Sequence, residues 1–242
     1  MEIEILAEKL SSWIAEKVKE AGCHGAVFGM SGGIDSSVVA VLSKHALGDN
    51  VLGVIIPCYS IAQDEEHALA VAEKFSINIR KVVLDTAFDV LSSLLPDNPV
   101  DEAAGRLAMA NLKARLRMVT WYHIANQLRY LVVGSGNRSE MAVGYSTKYG
   151  DSGVDILPLG NLVKAQVRNL AKYLGVPRVI IDKPPSAGLW EGQTDEGEFG
   201  FTYAQLDSFL LTGETDAAVR QRIESMIVRS RHKTQPPPLP PF

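Results

Sequence analysis

The run Ser31-Gly32-Gly33-Ile34-Asp35-Ser36-Ser37 constrains this chain more than any other segment. It follows an apolar stretch, Gly25 to Met30, that reads as a buried strand. It precedes Val38-Val39-Ala40-Val41-Leu42, which reads as the first turns of a helix. A strand, a Gly- and Ser-rich turn and a helix start together make a site for phosphate anions. The glycines let the backbone turn tightly and approach a ligand. Free N–H groups and the positive end of the helix dipole then face the anion. Asp35 can hold a cation beside the phosphates. A plain turn with Asp35 or Ser36 as helix N-cap accounts for the same residues equally well. The run is not a Walker loop, because no Lys follows the glycines at the required place. Nor is it G-x-G-x-x-G, because its glycines are adjacent.

The pattern around this run predicts a fold. Leu6, Leu10, Trp13, Ile14 and Val18 recur at helical spacing, and the helix after the glycines stops near Gly48. Strands are expected at Val51–Ile56, Ile79–Leu84 and Tyr130–Val133, and helices at Asp64–Phe75, Phe88–Leu95 and Glu102–Gln127. Strands alternating with helices predict an α/β fold with a doubly wound, mostly parallel sheet and helices on both faces. Ligands of such sheets bind beyond the carboxyl ends of the strands, where the Ser31 loop and the Gly134-Ser135-Gly136 loop would both lie. Residues 144–161 read as an ordered or ligand-closed loop, and Val163 to Leu174 as a helix. The stretch from Asp182 to Gly200 is too long for a simple connector and reads as a lid. Two helices, Thr202–Leu211 and Asp216–Ser230, precede a proline-rich tail at 235–242 that favours polyproline II. The expected organisation is one domain over 1–242, with a mobile closing segment near 182–200.

Bulk properties narrow the function classes. A hydrophobic fraction of 46% is ample for a core. A net charge of −4 argues against a basic nucleic-acid-binding surface. Cys23 and Cys58 suggest neither a disulfide framework nor a zinc site, but ordinary thiols of a reducing compartment. No signal peptide pattern and no membrane-spanning run is visible. A soluble, cytoplasmic protein is expected.

Ser-Gly-Gly-x-Asp-Ser after a first strand resembles the pyrophosphate loop of the ATP pyrophosphatase superfamily, whose fold is adenine nucleotide alpha-hydrolase-like. Further segments narrow the resemblance. Asn111-Leu112-Lys113-Ala114-Arg115-Leu116-Arg117-Met118 resembles the helix signature of the NAD synthetase family. Gly134-Ser135-Gly136-Asn137-Arg138-Ser139-Glu140 resembles its second nucleotide and metal loop. Gly144-Tyr145-Ser146-Thr147-Lys148-Tyr149-Gly150-Asp151 with Asp155, Pro158 and Leu159 resembles its substrate loop. Lys183 to Trp190 and Gly192 to Glu196 resemble its closing segment, and Arg231-His232-Lys233 its C-terminal substrate contact. These matches run in the family's order along nearly the whole chain.

The resemblance implies a ligase acting in the last step of NAD biosynthesis. ATP adenylates the nicotinate carboxylate of deamido-NAD, pyrophosphate leaves, and ammonia converts the adenylate to NAD and AMP. By the same resemblance, Gly29, Met30, Ser31, Gly32, Gly33, Ile34, Asp35 and Ser36 would cradle ATP, with Ser135, Lys164 and Ser186 as further ATP contacts. Asp35 and Glu140 would hold Mg2+, a hard cation that takes carboxylate oxygens. Arg115, Lys148, Asp155, His232 and Lys233 would meet deamido-NAD, the last two from either the same or the partner subunit of a homodimer. No side-chain nucleophile is implied. Many family members carry threonine where this chain has Ser135, and some carry a His-containing loop where it has Asn137-Arg138. Members that use glutamine carry a separate amidase domain with a catalytic cysteine. Cys23 and Cys58 lie in no such domain, so free ammonia is the expected donor, or glutamine only through a separate subunit. The opening helix and the long Glu102–Gln127 helix are candidate dimer contacts. A tRNA-modifying ligase would share the glycine loop but need a basic surface. A non-catalytic nucleotide sensor would have little use for a second carboxylate loop and a lid.

Overall fold

The computed structural model describes residues 2–186, 188 and 192–242. The chain opens with helix α1 (Ile3–Glu20), then strand β1 (Gly25–Gly29) and helix α2 (Ile34–Leu47). Strand β2 (Val51–Ile55), helix α3 (Ala62–Lys74) and strand β3 (Ile79–Lys81) follow. Helices α4 (Asp85–Leu94) and α5 (Glu102–Leu128) then lead to strand β4 (Tyr130–Val133). The rest is helical: α6 (Arg138–Val143), α7 (Lys164–Tyr173), α8 (Arg178–Ile181), α9 (Asp195–Phe199), α10 (Tyr203–Thr212) and α11 (Ala217–Thr234).

Among the described residues the four strands are all parallel, in the order β3-β2-β1-β4. Ala26 pairs with Val51 on one side of β1 and with Leu131 on the other. A strand buried on both faces must be apolar throughout, and Gly25-Ala26-Val27-Phe28 meets that demand. The chain builds β1, β2 and β3 outward in one direction, then crosses through α4 and α5 to lay β4 on the other side of β1. The winding direction therefore reverses between β1 and β4. The loops leaving these two neighbours diverge and open a crevice at their carboxyl ends.

Each face of the sheet has its own core. On one, Val38, Val41 and Leu42 of α2 pack with Ile14 of α1 and Val167 and Leu170 of α7. On the other, Val27, Val54 and Val132 of the sheet pack with Phe88 of α4 and Ile124 and Ala125 of α5. A third cluster unites Val143, Phe199, Phe201, Tyr203, Leu206 and Ile223 from the C-terminal helices.

The expected α/β class and winding hold. Three local expectations change. The third strand is shorter than Ile79–Leu84. It is a sheet edge whose three residues are all exposed, and Arg80 and Lys81 guard it. Asn137-Arg138-Ser139-Glu140 is not only loop but the start of α6, closed by a reciprocal Asn137–Glu140 capping box. The stretch 182–200 is not loop to its end, because α9 is capped by Thr194 and seats Phe199 fully buried in the third cluster. Ala187, Leu189 and Trp190 of the closing-segment motif lie outside the described residues. The 144–161 segment is ordered by its own bonds: Thr147 N–H donates to Asp151 at 2.7 Å, and Gly134 N–H to the Ile156 carbonyl at 2.9 Å.

Gly32 is the tightest demand in the crevice. Its φ is +75°, and a Cβ placed there would lie 2.2 Å from the Asp64 carbonyl oxygen of α3. Gly32→Ala is expected to cost at least ~2 kcal/mol, from left-handed backbone strain and the collision together. Urea denaturation of the two proteins would measure the difference.

Candidate active site

The glycine loop sits at the mouth of the crevice. The N-cap of α2 is Gly33, which has no side chain to accept a hydrogen bond from the first turn. Asp35 and Ser36 therefore lie inside the helix and do not cap it. Ser36 and Ser37 instead turn their hydroxyls back to the Gly33 carbonyl, at 3.0 and 2.8 Å. The Ser31 and Ser36 hydroxyls are 2.9 Å apart, and Ser31 N–H donates to Ser36 Oγ at 3.3 Å. The serines shape the loop, while the helix start keeps its positive end toward the crevice. Gly29 brings the loop close to α5, since a Cβ there would lie 2.5 Å from the Trp121 ring.

Behind the loop lies a buried charge cluster. Lys164, at the start of α7, is 2% exposed. Its Nζ donates to Asp35 Oδ2 at 2.6 Å and to Glu140 Oε1 at 2.9 Å. Burial works against this ammonium, but Asp35 and Glu140 outweigh it and hold its pKa above the ordinary lysine value. Burial pushes the Glu140 carboxyl up to about 7, with Lys164 opposing that rise and Asp35 adding to it. A cation at a helix N-terminus is unfavourable on its own. Asp207 of α10 supplies the compensating anion, accepting Ala165 N–H at 2.8 Å and the Ser139 hydroxyl at 2.5 Å.

Asn137, fully buried, donates its amide to Asp35 Oδ1 at 2.9 Å and accepts Glu140 N–H at 3.0 Å. Tyr203 donates to Asp195 Oδ2 at 2.8 Å and lies 3.3 Å from Glu140 Oε1. Burial first, then the surrounding carboxylates, hold its phenol far above the usual range, so it stays a donor. The sequence reading did not single out Asp195, Asp207 or Tyr203 as parts of this cluster. The Asn-x-x-Glu spacing of 137–140 was a readable capping signal. Nothing local marked Asp207, which acts across 42 residues.

A second cluster gathers basic residues expected to meet the nucleotide substrate. Arg115 on α5 is exposed, and its Nε is 3.4 Å from the Lys148 carbonyl. Lys148 Nζ donates to the His232 carbonyl at 2.6 Å. Lys233 Nζ donates to the carbonyls of Gly144 and Ser146, both at 2.7 Å, and burial holds its pKa below the ordinary value. Arg115, Lys148, His232 and Lys233 thus come together within a single chain. His232 and Lys233 also line a cavity of about 770 Å³ with Tyr145, Glu198 and Arg229. Arg117 is tied elsewhere, to the Ile56 carbonyl at 3.0 Å and the Ser60 hydroxyl at 3.1 Å, and braces α5 on the loop after β2.

Asp155 is engaged by other groups than these basic residues. One of its oxygens accepts the Tyr122 hydroxyl at 2.9 Å and the other Val132 N–H at 2.8 Å, so the fold itself engages both. Ser135 is half-buried on the loop after β4. Ser186 is exposed in the closing segment, its hydroxyl accepting Gly188 N–H at 3.1 Å. The same segment reaches the glycine loop's wall through an ion pair between Lys183 and Asp64.

The donor set suits a magnesium ion shared with phosphates. Asp35 and Glu140 present oxygens within hydrogen-bond reach of one point, the Lys164 ammonium. Among the described residues no three His, Cys, Asp or Glu gather as a cage. Mg2+ commonly takes one or two carboxylates plus phosphate oxygens, so two protein ligands fit it.

Fold and site together define a parallel α/β nucleotide-type binding protein, with an anion loop and a carboxylate pair at its switch point. The family model described as NAD synthase matches residues 6–237, and the chain belongs to that family of ATP-dependent ligases. It is 49% identical to the NH(3)-dependent NAD(+) synthetase of Carboxydothermus hydrogenoformans, over 96% of each chain. Among solved structures, an NMN synthetase from Francisella tularensis overlays with a TM-score of 0.92 at 37% identity, covering 100% of both chains. The NH3-dependent NAD synthetase from Campylobacter jejuni overlays at 0.81 with 28% identity, covering 99% of both.

Lys164→Met removes the shared cation and leaves two carboxylates facing each other. It is expected to cost about 3–5 kcal/mol at pH 7.5, as breaking a buried pair does. Glu140's value of about 7 lies above its ordinary 4.5. Between those values the folded state holds more protons than the unfolded one, so stability falls as pH rises through that window. Losing the ammonium that opposes the rise extends the window upward. The deficit of Lys164→Met should therefore shrink toward pH 5, which urea titrations at both pH values without magnesium would test.

Proposed function

We propose that this chain catalyses ATP-dependent amidation of deamido-NAD to NAD with free ammonia. The observation that carries this reading is the uncapped α2 start beside the buried Asp35–Lys164–Glu140 cluster. It supports a pyrophosphate grip with its own counter-charges. A nicotinate carboxylate is a poor electrophile, because its oxygen leaves badly. In the first step that oxygen attacks the α-phosphorus of ATP, the α–β phosphoanhydride bond breaks, and pyrophosphate departs. In the second, ammonia attacks the acyl carbon, AMP leaves with the C–O bond's electron pair, and a proton is released.

The protein's part is positioning, charge neutralisation and exclusion of water from a hydrolysable adenylate. The loop from Gly29 to Ser36, with Ser135, Lys164 and Ser186, would hold ATP. Asp35 and Glu140 would hold Mg2+, which when bound neutralises charge on the leaving pyrophosphate. Arg115, Lys148, His232 and Lys233 would receive the anionic parts of the dinucleotide, Arg115 by its bidentate fork. Asp155, engaged by Tyr122 and Val132, would offer its remaining acceptor capacity to the substrate.

We read residues 1–242 as one domain with a mobile closing segment near 182–200. Asp207 of α10 holding the start of α7 supports a helical part continuous with the sheet domain. We also propose a homodimer in the cytoplasm. Exposed Val90 and Leu94 on α4 and Leu107 and Val119 on α5 favour an apolar contact, and two free thiols suit a reducing compartment. Among the described residues no helix is long and apolar enough to cross a membrane.

A second reading is favoured by the close overlay on the NMN synthetase: amidation of nicotinate mononucleotide, the same chemistry on a shorter substrate. The test is NAD or NMN formation by purified chain with ATP, Mg2+ and ammonium, comparing kcat/KM for the two acids. Preference for deamido-NAD supports the first reading, and preference for the mononucleotide replaces it. Glutamine should not serve as donor, and turnover with glutamine alone would reject that part. Asp35→Asn should lower kcat at least ~100-fold with the fold intact. Arg115→Ala should raise KM for deamido-NAD about 10-fold, the loss of one charge-assisted contact. Light scattering of the purified chain would report the dimer.

A further inference from the structure

We infer that Asn137 is a positioning residue that sets the approach of the two carboxylates to each other, resting on the reading of Asp35 and Glu140 as metal ligands. The two come from different loops, Asp35 from the start of α2 after β1 and Glu140 from α6 after β4. The sheet places those loops side by side but does not fix their spacing. Asn137 is 0% exposed, and its one side-chain amide reaches both. Nδ2 donates to Asp35 Oδ1 at 2.9 Å, fixing the carboxylate's rotation. Oδ1 accepts Glu140 N–H at 3.0 Å, fixing the first turn that carries Glu140. The Asn137 N–H is 3.4 Å from Glu140 Oε2, which restrains the second carboxylate as well.

Lys164 also touches both carboxylates, but through a flexible chain and a point charge. The Asn137 amide is planar and has only two rotatable bonds. An Asn that served merely as an N-cap would need only its oxygen. Here the nitrogen is spent on a residue 102 positions away in sequence. Residues that orient ligand carboxylates typically change metal affinity 10- to 100-fold when lost.

The variants that separate the two roles are Asn137→Ser and Asn137→Thr. Both keep a capping hydroxyl and neither reaches Asp35. Mn2+ serves as probe, with free Mn2+ followed by electron paramagnetic resonance in the presence of α,β-methylene-ATP. We expect both variants to keep the wild-type circular dichroism spectrum and to bind Mn2+ about 10-fold or more weakly. The magnesium concentration for half-maximal turnover should rise in parallel, with KM for the acceptor acid unchanged. Wild-type Mn2+ affinity in a folded variant would overturn the inference and leave the metal reading standing. A wild-type chain that takes up no Mn2+ with the analogue would overturn both.

A measurement on the unaltered chain covers the case where neither variant folds. The side-chain amide resonances of Asn137, assigned by nuclear magnetic resonance, should shift when Mg2+ and the analogue are added, because their acceptor Asp35 gains a cation. Unmoved resonances would overturn the inference.

Discussion

The Lys164 ammonium, buried between Asp35 and Glu140, is the interaction on which the site depends. Two carboxylates cannot sit close together in a poorly solvated crevice without a counter-charge. Lys164 supplies it from a third element, α7, and so draws the loops after β1 and β4 onto the helical half of the molecule. The ammonium in turn needs a tolerable place at a helix start. Asp207 provides that by taking up the α7 backbone N–H of Ala165 and the Ser139 hydroxyl. One charge thus determines how α2, α6, α7 and α10 meet. The arrangement costs desolvation, which the fold offsets with hydrogen bonds to the charged atoms rather than with exposure.

The sheet contributes a different kind of constraint. Placing β4 on the opposite side of β1 from β2 is a topological choice, and it makes the crevice before any side chain is considered. The glycines then let other groups come close. Gly29 admits the Trp121 ring, and Gly32 admits the Asp64 backbone. What reaches the crevice mouth is an uncapped helix start, with its serines turned inward to shape the loop.

The winding of the fold was readable because its signals are local. Apolar β-branched runs, helical spacing and Gly48 as a stop each lie within one element. The observed bounds of α5 and α7 lie within one residue of the expected ones, while α2 starts at Ile34, ahead of the apolar run at Val38. The short edge strand was overextended because Val82 and Leu84 are apolar yet leave the ladder, although their N–H groups still reach Ile55 and Pro57. Helix α9 was hidden because its composition, Asp-Glu-Gly-Glu-Phe, carries no apolar period; a Thr194 cap and one buried Phe199 hold it. In the site, the resemblance to the NAD synthetase family pointed to Asp35, Glu140 and Lys164. That these three form one ion cluster required the third dimension, since Lys164 bonds across 129 and 24 residues. Arg115 and Arg117 show the limit of spacing arguments. They sit on the same helix two residues apart, yet one faces the cationic cluster and the other braces a distant loop.

Asp64 has two neighbours that belong to different parts of the molecule. Its backbone forms the wall against which Gly32 lies, and its carboxylate pairs with Lys183 of the closing segment. The glycine turn and the segment that carries Lys183 therefore share one post at the start of α3. Neither can be re-tuned by itself. A substitution at position 64 that alters the Lys183 pair therefore also touches the surface against which the glycine turn packs.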